Sequence, residues 1–297
     1  ESFFMTRKEI SGLHLYNKLD GLHVLFDEIN FKDEDILYTG PRQLSIMLTK
    51  KCNLKCSYCY ASKGDSELDW ELLLQILEVA QNMKVLDITL GGGEPTLYSR
   101  FEDLVKLINE KYDFGLSVTT NGTNIEIFKN IPSMFSRVRV SLDNQKRVLD
   151  DTMKKQLTEL KKYQKIGINL LFSPDSSEWL EDTISKLGNE DIKDILIIPE
   201  HLNGKYVLSQ SDWDILENII QNSIKNNIDI KITSDAEKYL KIGTLETAHQ
   251  DEYMFLHIDD EGNLKEKSWE NSTYNLSNLS IDEMKHTISK LNPRSKK

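Results

Sequence analysis

The sequence of 297 residues has only three cysteines, no secretion signal and no apolar run long enough to cross a membrane. All three cysteines fall in one short stretch, which excludes a disulfide framework and favours a reducing cytoplasm. Basic residues are outnumbered, since 37 Lys and Arg against 48 Asp and Glu give a net charge of −11. Such acidity argues against non-specific binding to nucleic acid, which needs a basic face. We therefore expect a cytoplasmic protein with no membrane partner and no non-specific contact with nucleic acid.

The three cysteines lie in the segment LTKKCNLKCSYCYA, residues 48–61, with the spacing C-x3-C-x2-C. Three thiolates on one loop can bind three irons of a cubane iron–sulfur cluster and leave the fourth iron open for chemistry. A zinc site is an alternative, but it needs a fourth ligand and usually paired cysteine knuckles. No histidine is close in sequence, and three clustered packing thiols would be a coincidence. We therefore favour a cluster bound by Cys52, Cys56 and Cys59.

Three further polar or glycine-rich segments each follow a predicted strand. GGGEP, residues 91–95, comes after the second strand, and consecutive glycines let a backbone approach a ligand closely. TTNGT, residues 119–123, ends the third strand, and SLD, residues 141–143, ends the fourth. Each segment alone is compatible with an ordinary tight turn. Their order behind the cysteine segment favours a functional reading.

Together these segments resemble the radical S-adenosylmethionine (radical SAM) superfamily. An aromatic residue before the last cysteine, then GGEP, TNG and SLD in that order, is similar to the family pattern over roughly residues 42–200. Within the family, the motifs resemble the branch of SPASM- or twitch-bearing peptide maturases and molybdenum-cofactor cyclases. The resemblance implies two cofactors, a [4Fe-4S] cluster on the three cysteines and SAM at the open iron. It also implies a set of SAM-binding residues, namely Tyr58, Gly92, Gly93, Glu94, Thr120, Asn121, Ser141 and Asp143.

A basic residue near the start of the helix after SLD meets the SAM carboxylate in relatives. Arg147 and Lys154 are the candidates here, although neither stands out from ordinary exposed charges. On the substrate side, we expect residues at strand ends to line the site. The candidates are Asn169, Ser173, Glu200 and His201.

Six strand–helix alternations within residues 42–227 predict an α/β fold with a parallel sheet. The family resemblance narrows this to a partial (β/α)6 TIM-like barrel with its cluster at the top. For residues 1–41 we expect a small N-terminal hairpin followed by a linker, with the hairpin acting as a lid or a plug against the end of the barrel. Local patterns predict capping boxes that begin the first two barrel helices, and a third helix over 148–165. The predicted capping pairs are Ser66 with Asp69 and Ser99 with Glu102.

Residues 228–297 break the alternation and predict a C-terminal α+β cap, with a hairpin over 253–267 and a helix over 281–291. This part resembles the SPASM or twitch extension, which carries auxiliary clusters in many relatives. Ala248, His249 and Ser268 lie about where its first cysteines would fall. Without cysteine ligands, we expect a degenerate cap that binds no second cluster.

The resemblance implies an enzyme that cleaves SAM to a 5′-deoxyadenosyl radical, which abstracts hydrogen from a substrate. The style of the motifs favours a ribosomally made peptide as the substrate. A nucleotide-like or other small metabolite is the alternative, and the missing auxiliary cysteines support it. A non-catalytic iron–sulfur protein ranks lower, because it would not need the glycine–glutamate segment. The expected electron donor is a protein such as flavodoxin or ferredoxin.

Overall fold

The computed structural model describes residues 3–9, 12–32, 40–59, 61, 63–202, 204–233, 235–241, 255–272 and 274–291. The chain begins with a three-stranded antiparallel sheet, which adds one strand to the predicted hairpin. Its strands are β1 Phe4–Glu9, β2 Gly12–Asn17 and β3 Leu22–Phe26.

Six parallel, adjacent strands form the centre of the main sheet, which confirms the α/β class predicted from the alternation. These strands are β4 Gln43–Met47, β5 Asp87–Gly91, β6 Gly115–Thr120, β7 Arg137–Leu142, β8 Ile166–Phe172 and β9 Asp194–Pro199. The helices after them are α1 Trp70–Asn82, α2 Phe101–Lys111, α3 Asp151–Leu160 and α4 Ser177–Asn189. The connection from β6 to β7 is a short 3-10 helix, Ile125–Lys129.

The chain then forms a small hairpin and returns to the main sheet. The hairpin strands are β10 His201–Leu202 and β11 Lys205–Tyr206, and they are followed by α5 Gln210–Lys225. The remaining elements are β12 Asp229–Ile232, β13 Phe255–Ile258, β14 Asn263–Lys265, β15 Tyr274–Asn275 and α6 Ile281–Lys290. Within the described parts of the chain, no helix is long and apolar enough to span a bilayer.

The strands after α5 extend the main sheet at both edges. β12 pairs in parallel with β9, and β13 pairs in parallel with β4 and carries β14 and β15 beyond it. The segment predicted as a separate cap therefore supplies four of the ten sheet strands. Ala248, His249 and the first two residues of the predicted hairpin lie outside the described residues, while Ser268 is described.

Side chains beyond the strands connect the segment between β14 and β15 with the β10–β11 hairpin. Trp269, between β14 and β15, lies with its ring centroid 4.4 Å from that of His201, the first residue of β10. Gly204 in the β10–β11 turn has φ of +76°, and a Cβ there would come 2.8 Å from Nε1 of Trp269. The hairpin therefore packs closely against the Trp269 ring.

The N-terminal sheet packs against the opposite end of the main sheet. Tyr16 of β2 is fully buried, and its hydroxyl donates to Oδ1 of Asp87, the first residue of β5, at 2.7 Å. Gly115, the first residue of β6, leaves room for this ring, because a Cβ there would lie 2.0 Å from the Tyr16 hydroxyl. The guanidinium of Arg7 donates to the carbonyl of Pro41 at 2.8 Å. The N-terminal sheet is thus a plug at the amino ends of the strands.

The predicted capping boxes are wrong. Asp69 itself caps α1 by accepting from the Leu72 N–H at 3.0 Å, while the Ser66 hydroxyl donates to Asp260 at 2.6 Å. α2 has no side-chain cap. The Ser99 hydroxyl instead donates to Glu67 at 2.6 Å. Glu67 is held within reach by its β-bridge to Thr49, at the start of the cysteine loop.

The third helix is shorter than predicted, running over Asp151–Leu160 instead of 148–165. Its start is delayed because Oδ1 of Asp143 accepts from the backbone N–H groups of Gln145 and Lys146, each at 2.7 Å. These bonds hold residues 143–147 in a turn, and Asp150 then caps the helix.

Candidate functional site

The cysteine loop follows β4 at the carboxyl edge of the parallel sheet, where α/β proteins place their functional loops. Cys52, Cys56 and Cys59 are all free thiols and all half-buried. Their loop is bound at its base to the end of β5, since the Leu48 N–H donates to the Gly91 carbonyl at 2.9 Å. The structure therefore presents three unpaired thiols on one loop beside two strand ends.

The glycines of GGGEP let the cysteine loop rest on the end of β5. Gly92 has φ of +134°, and a Cβ there would lie 2.6 Å from the Thr49 carbonyl oxygen. A Cβ on Gly93 would lie 2.2 Å from the carbonyl oxygen of Lys51. The Gly93 N–H donates to Thr49 at 2.7 Å and the Glu94 N–H donates to Lys51 at 2.8 Å. These glycines therefore let the cysteine loop pack directly against the end of β5, in addition to the ligand contact predicted for them.

Glu94 is completely buried between the ends of β5 and β6. One carboxylate oxygen accepts from the hydroxyls of Thr96 and Thr120, both at 2.7 Å, and the other from the Asn121 N–H, also at 2.7 Å. Glu94 therefore ties the GGGEP segment to the TNG segment. Among the described residues, Oε2 accepts from the Asn121 N–H alone, so it has capacity for a second hydrogen bond.

The TNG turn holds the first part of the cysteine loop. The Asn121 side-chain amide donates to Asn53 at 2.8 Å and lies 4.0 Å from the sulfur of Cys52. The Asn53 amide donates in turn to the Thr123 hydroxyl at 2.7 Å. The sequence pattern indicated Thr120 and Asn121 but missed Asn53 and Thr123, since an Asn and a Thr in loops carry no signal of their own.

The SLD turn holds the second part of the cysteine loop. The Tyr58 hydroxyl donates to Oδ2 of Asp143 at 2.5 Å, and Nε of Arg147 donates to the same oxygen at 2.7 Å. The Arg147 guanidinium also donates to the Tyr58 hydroxyl. Asp143 is completely buried, and the side chain of Arg147 is only 13% exposed. The prediction that Arg147 is an ordinary exposed charge is therefore wrong.

Hydrogen bonds keep Asp143 ionised despite its burial. Burial alone raises the pKa of this carboxyl, but bonds from Tyr58, the backbone and Arg147 outweigh it and lower the pKa to about 2. Burial and the bond to Asp143 raise the pKa of Tyr58, so the phenol stays protonated and donates. Asp143 was predicted to bind SAM, yet in the structure its carboxylate is fully engaged within the protein.

The other predicted site residues are placed less tightly. Ser141 is half-buried on the face of β7 that points away from the hydrophobic core, and it pairs in register with Asn169 on β8. Asn169 is buried and accepts from the Arg139 guanidinium at 3.3 Å. Ser173 is buried at the end of β8, and its hydroxyl has no partner among the described residues.

Glu200 directly follows β9, and His201 begins β10, where it packs on Trp269. They therefore share the carboxyl edge of the sheet with the cysteine loop. The structure gives no direct contact, within the described residues, between either of them and a cysteine. Lys154 of α3 pairs with the exposed Asp151 at 4.0 Å and takes no part in the site.

The three half-buried thiols are the ligands that an iron–sulfur cluster uses, one cysteine on each of three irons. In the described ranges, no three His, Cys, Asp or Glu side chains converge on one ion position. Besides the Asn121 amide, two N–H donors face the sulfurs, the backbone of Leu54 at 3.5 Å from Cys52 and the ammonium of Lys63 at 3.6 Å from Cys59. Such donors stabilise thiolates and tune a cluster's potential.

An open cavity of about 480 Å³ lies beside the loop. Cys52 and Asn53 form part of its wall, and the remaining wall is mostly charged. Two lysines of this wall form ion pairs, Lys51 with Glu67 at 2.9 Å and Lys50 with Glu261 at 2.7 Å. The cysteine loop is therefore accessible from outside at this cavity.

Comparison with known proteins identifies the domain. Residues 46–169 match the model of the Radical SAM superfamily. This chain contains a radical SAM domain. The domain covers the strands that carry the cysteine loop and the GGGEP, TNG and SLD segments, so the resemblance seen in the sequence is confirmed. Radical SAM domains use a [4Fe-4S] cluster and SAM, and the three free cysteines of this domain fit the cluster.

The chain aligns with two curated relatives whose names describe different activities. The chain is 30% identical over 143 residues to a probable GTP 3′,8-cyclase from Pyrococcus horikoshii, covering 43% of this chain and 46% of the cyclase. It is 28% identical over 159 residues to the sporulation killing factor maturation protein SkfB from Bacillus subtilis, covering 49% of this chain and 38% of SkfB. The matches thus span less than half the length of each relative.

The fold is also similar to that of a solved structure over most of its length. Streptococcus suis SuiB, bound to its precursor peptide SuiA, superposes with a TM-score of 0.69. The match covers 94% of this chain and 86% of SuiB, at 16% sequence identity. At this identity the similarity is one of fold.

Proposed function

We propose that this protein is a radical SAM enzyme in which Cys52, Cys56 and Cys59 bind the [4Fe-4S] cluster. When bound, the cluster and SAM supply a 5′-deoxyadenosyl radical that abstracts hydrogen from a substrate. One observation carries the proposal: three free thiols share a loop that two strand-end turns of a radical SAM domain hold in place.

The chain's own residues have three tasks in this proposal. Asn121 and Tyr58 fix the two halves of the cysteine loop, so the thiolates meet the cluster at defined positions. Glu94, and Ser141 on β7, are proposed to receive polar groups of SAM at the same edge of the sheet. Trp269 and His201 are proposed to cover part of the carboxyl edge of the sheet, where they would keep water away from a reactive carbon radical.

The substrate that we favour is a ribosomally made peptide. SkfB, a maturation protein by its name, aligns with this domain, and SuiB shares the fold and binds its precursor peptide. A nucleotide-like or other small metabolite is the second candidate, because a probable GTP cyclase aligns at similar identity and because the chain has no cysteine beyond the three in the loop. The electron donor proposed for either reaction is a protein such as flavodoxin or ferredoxin, in a reducing cytoplasm.

Anaerobic reconstitution tests the cluster. We expect about four irons and four sulfides per chain, and 5′-deoxyadenosine on addition of dithionite and SAM. Cys56→Ala should abolish the product, whereas Lys154→Ala, a change at a residue of α3 outside the site, should leave the iron content intact. Stoichiometric zinc without iron would contradict the cluster, and a second cluster per chain would contradict the reading of the C-terminal segment.

Deuterium transfer distinguishes the two substrate classes. We expect label from a deuterated peptide, encoded by a short reading frame beside this gene, to enter 5′-deoxyadenosine. Deuterated GTP serves as the competing probe. Transfer from GTP and not from the peptide would replace the first candidate with the second, and cluster-bound protein that never cleaves SAM would favour a non-catalytic iron–sulfur protein.

A further inference from the structure

The turn over residues 143–147 contacts the cysteine loop at three separate points. First, the side chains of Tyr58, Asp143 and Arg147 are all hydrogen-bonded to one another. Second, the ammonium of Lys146 donates to the carbonyl of Lys55. Third, the Ser57 hydroxyl donates to the side-chain carbonyl of Gln145 at 3.4 Å. These contacts bracket Cys56 in the sequence of the loop.

Arginine is suited to the centre of this contact because of its shape. Nε and a terminal nitrogen of one planar fork reach two different acceptors, the Asp143 carboxylate and the Tyr58 hydroxyl. A lysine ammonium is a single point on a flexible stem and cannot reproduce this fork. Asp143 also needs a cation, since a fully buried carboxylate without a partner is costly.

The same contacts leave Arg147 little capacity to act as a ligand for SAM. Its guanidinium is bound to Asp143 and Tyr58, and only 13% of its side chain is exposed. A carboxylate from SAM would have to reach the remaining N–H donors of a side chain that is almost entirely covered, and it would place a second anion beside the buried carboxylate of Asp143.

We infer that Arg147 is a positioning residue that holds the cysteine loop through Tyr58 and Asp143, and that it does not bind the SAM carboxylate. The inference rests on the proposed function only in assuming that this loop binds the cluster. It predicts that, without Arg147, the part of the loop around Cys56 opens more often.

Two rates in the full-length chain report this opening. The first is alkylation of Cys56 by iodoacetamide before reconstitution, followed by peptide mass spectrometry. The second is loss of iron to a chelator after reconstitution. We expect Arg147→Ala and Tyr58→Phe each to raise both rates about tenfold, because losing a hydrogen bond to a charged group shifts a local opening equilibrium by about that factor. Arg147→Lys should restore part of the protection, and the affinity of cluster-bound chains for SAM should stay within about twofold of the original.

Lys154→Ala is the matched control, because it removes a nearby basic residue that makes no contact with the loop. The double variant Tyr58→Phe/Arg147→Ala should open no more than either single variant, since both belong to one network. Unchanged rates, or a loss of SAM affinity with unchanged rates, would overturn the inference. If Arg147→Ala does not fold, Tyr58→Phe decides, since it deletes one oxygen atom. The alkylation rate reports on the loop even if the chain never cleaves SAM, so the two proposals fail separately.

Discussion

Two buried carboxylates lie at the two ends of one strand, β5, and they invite comparison. Asp87, at the amino end, is 5% exposed and accepts from Tyr16 at 2.7 Å and Ser117 at 3.0 Å. Glu94, just beyond the carboxyl end, is fully buried and accepts from Thr120 and Asn121. In both cases a carboxylate joins β5 to its neighbour β6, and Asp87 also reaches β2 through Tyr16.

The comparison shows that burial and satisfied hydrogen bonds do not by themselves mark a functional residue. Asp87 connects the sheet to the N-terminal plug, at the edge opposite the cysteine loop. Glu94 is built in the same way but lies at the edge of the sheet that carries the cysteine loop. Position in a parallel sheet, and not the local environment, separates the two.

The largest expected difference is in SAM binding. Glu94→Gln keeps the size of the side chain, and the hydroxyls of Thr96 and Thr120 can turn to accept from its amide. The charge is lost, so a cationic amino group of SAM loses a charge-assisted bond. We expect the Kd for SAM, measured by equilibrium dialysis with cluster-bound protein, to rise at least about tenfold with iron content unchanged.

Asp87→Asn is the matched control for this change. Three of the donors to Asp87 are hydroxyls, on Tyr16, Thr89 and Ser117, and they can adapt in the same way. We expect Asp87→Asn to leave the Kd for SAM unchanged. Equal effects of the two variants on SAM affinity would show that Glu94 is a structural hub like Asp87.

The sequence predicted the carboxyl edge better than the amino edge. Cysteine spacing and glycine runs are short-range patterns, so GGGEP, TNG and SLD could be found and placed at strand ends. One partner of Asp87, Tyr16, comes from β2, far away in the sequence, and no local pattern joins Tyr16 to Gly115. The contact between them could be seen only once the chain was folded.

A second expected effect concerns the plug at the amino end. Tyr16→Phe retains the buried ring but removes the donor to Asp87, whose pKa is already raised by burial. We expect urea unfolding to show a loss of about 1.5 kcal/mol, with SAM cleavage unchanged. Lost SAM cleavage at full stability would contradict the view that this end is purely structural.

The strands β12 and β13 show a second limit of the sequence analysis. After α5 the helix–strand alternation stops, so the pattern predicts a separate cap, yet both strands pair in parallel with the main sheet. Pairing across a long interval leaves no periodic signal in either strand. Arg147 was missed for a related reason, because its value comes from Tyr58, which lies 89 residues earlier.

The smallest expected effect is a pH dependence of stability carried by His257 on β13, a buried group at neither end of β5. Burial, and then the charge of Lys265, lower the pKa of His257 to about 4, and its Nδ1 lies 3.1 Å from the Ser45 hydroxyl. The unfolded chain takes up this proton near pH 6.5, before the folded chain does, so stability falls as pH drops from 6.5 toward 4 and then levels off.

Between pH 7.5 and 5.5 we expect His257→Gln to remove about 1 kcal/mol of the stability that the original chain loses, measured as urea unfolding at each pH. His14 and His23 in the plug also have pKa values lowered to about 4, mainly by burial, so a residual slope remains in the variant. His286→Gln, at an exposed position on α6, is the control and should leave the slope unchanged. If His257→Gln keeps the full slope of the original chain, the acid sensitivity does not come from His257.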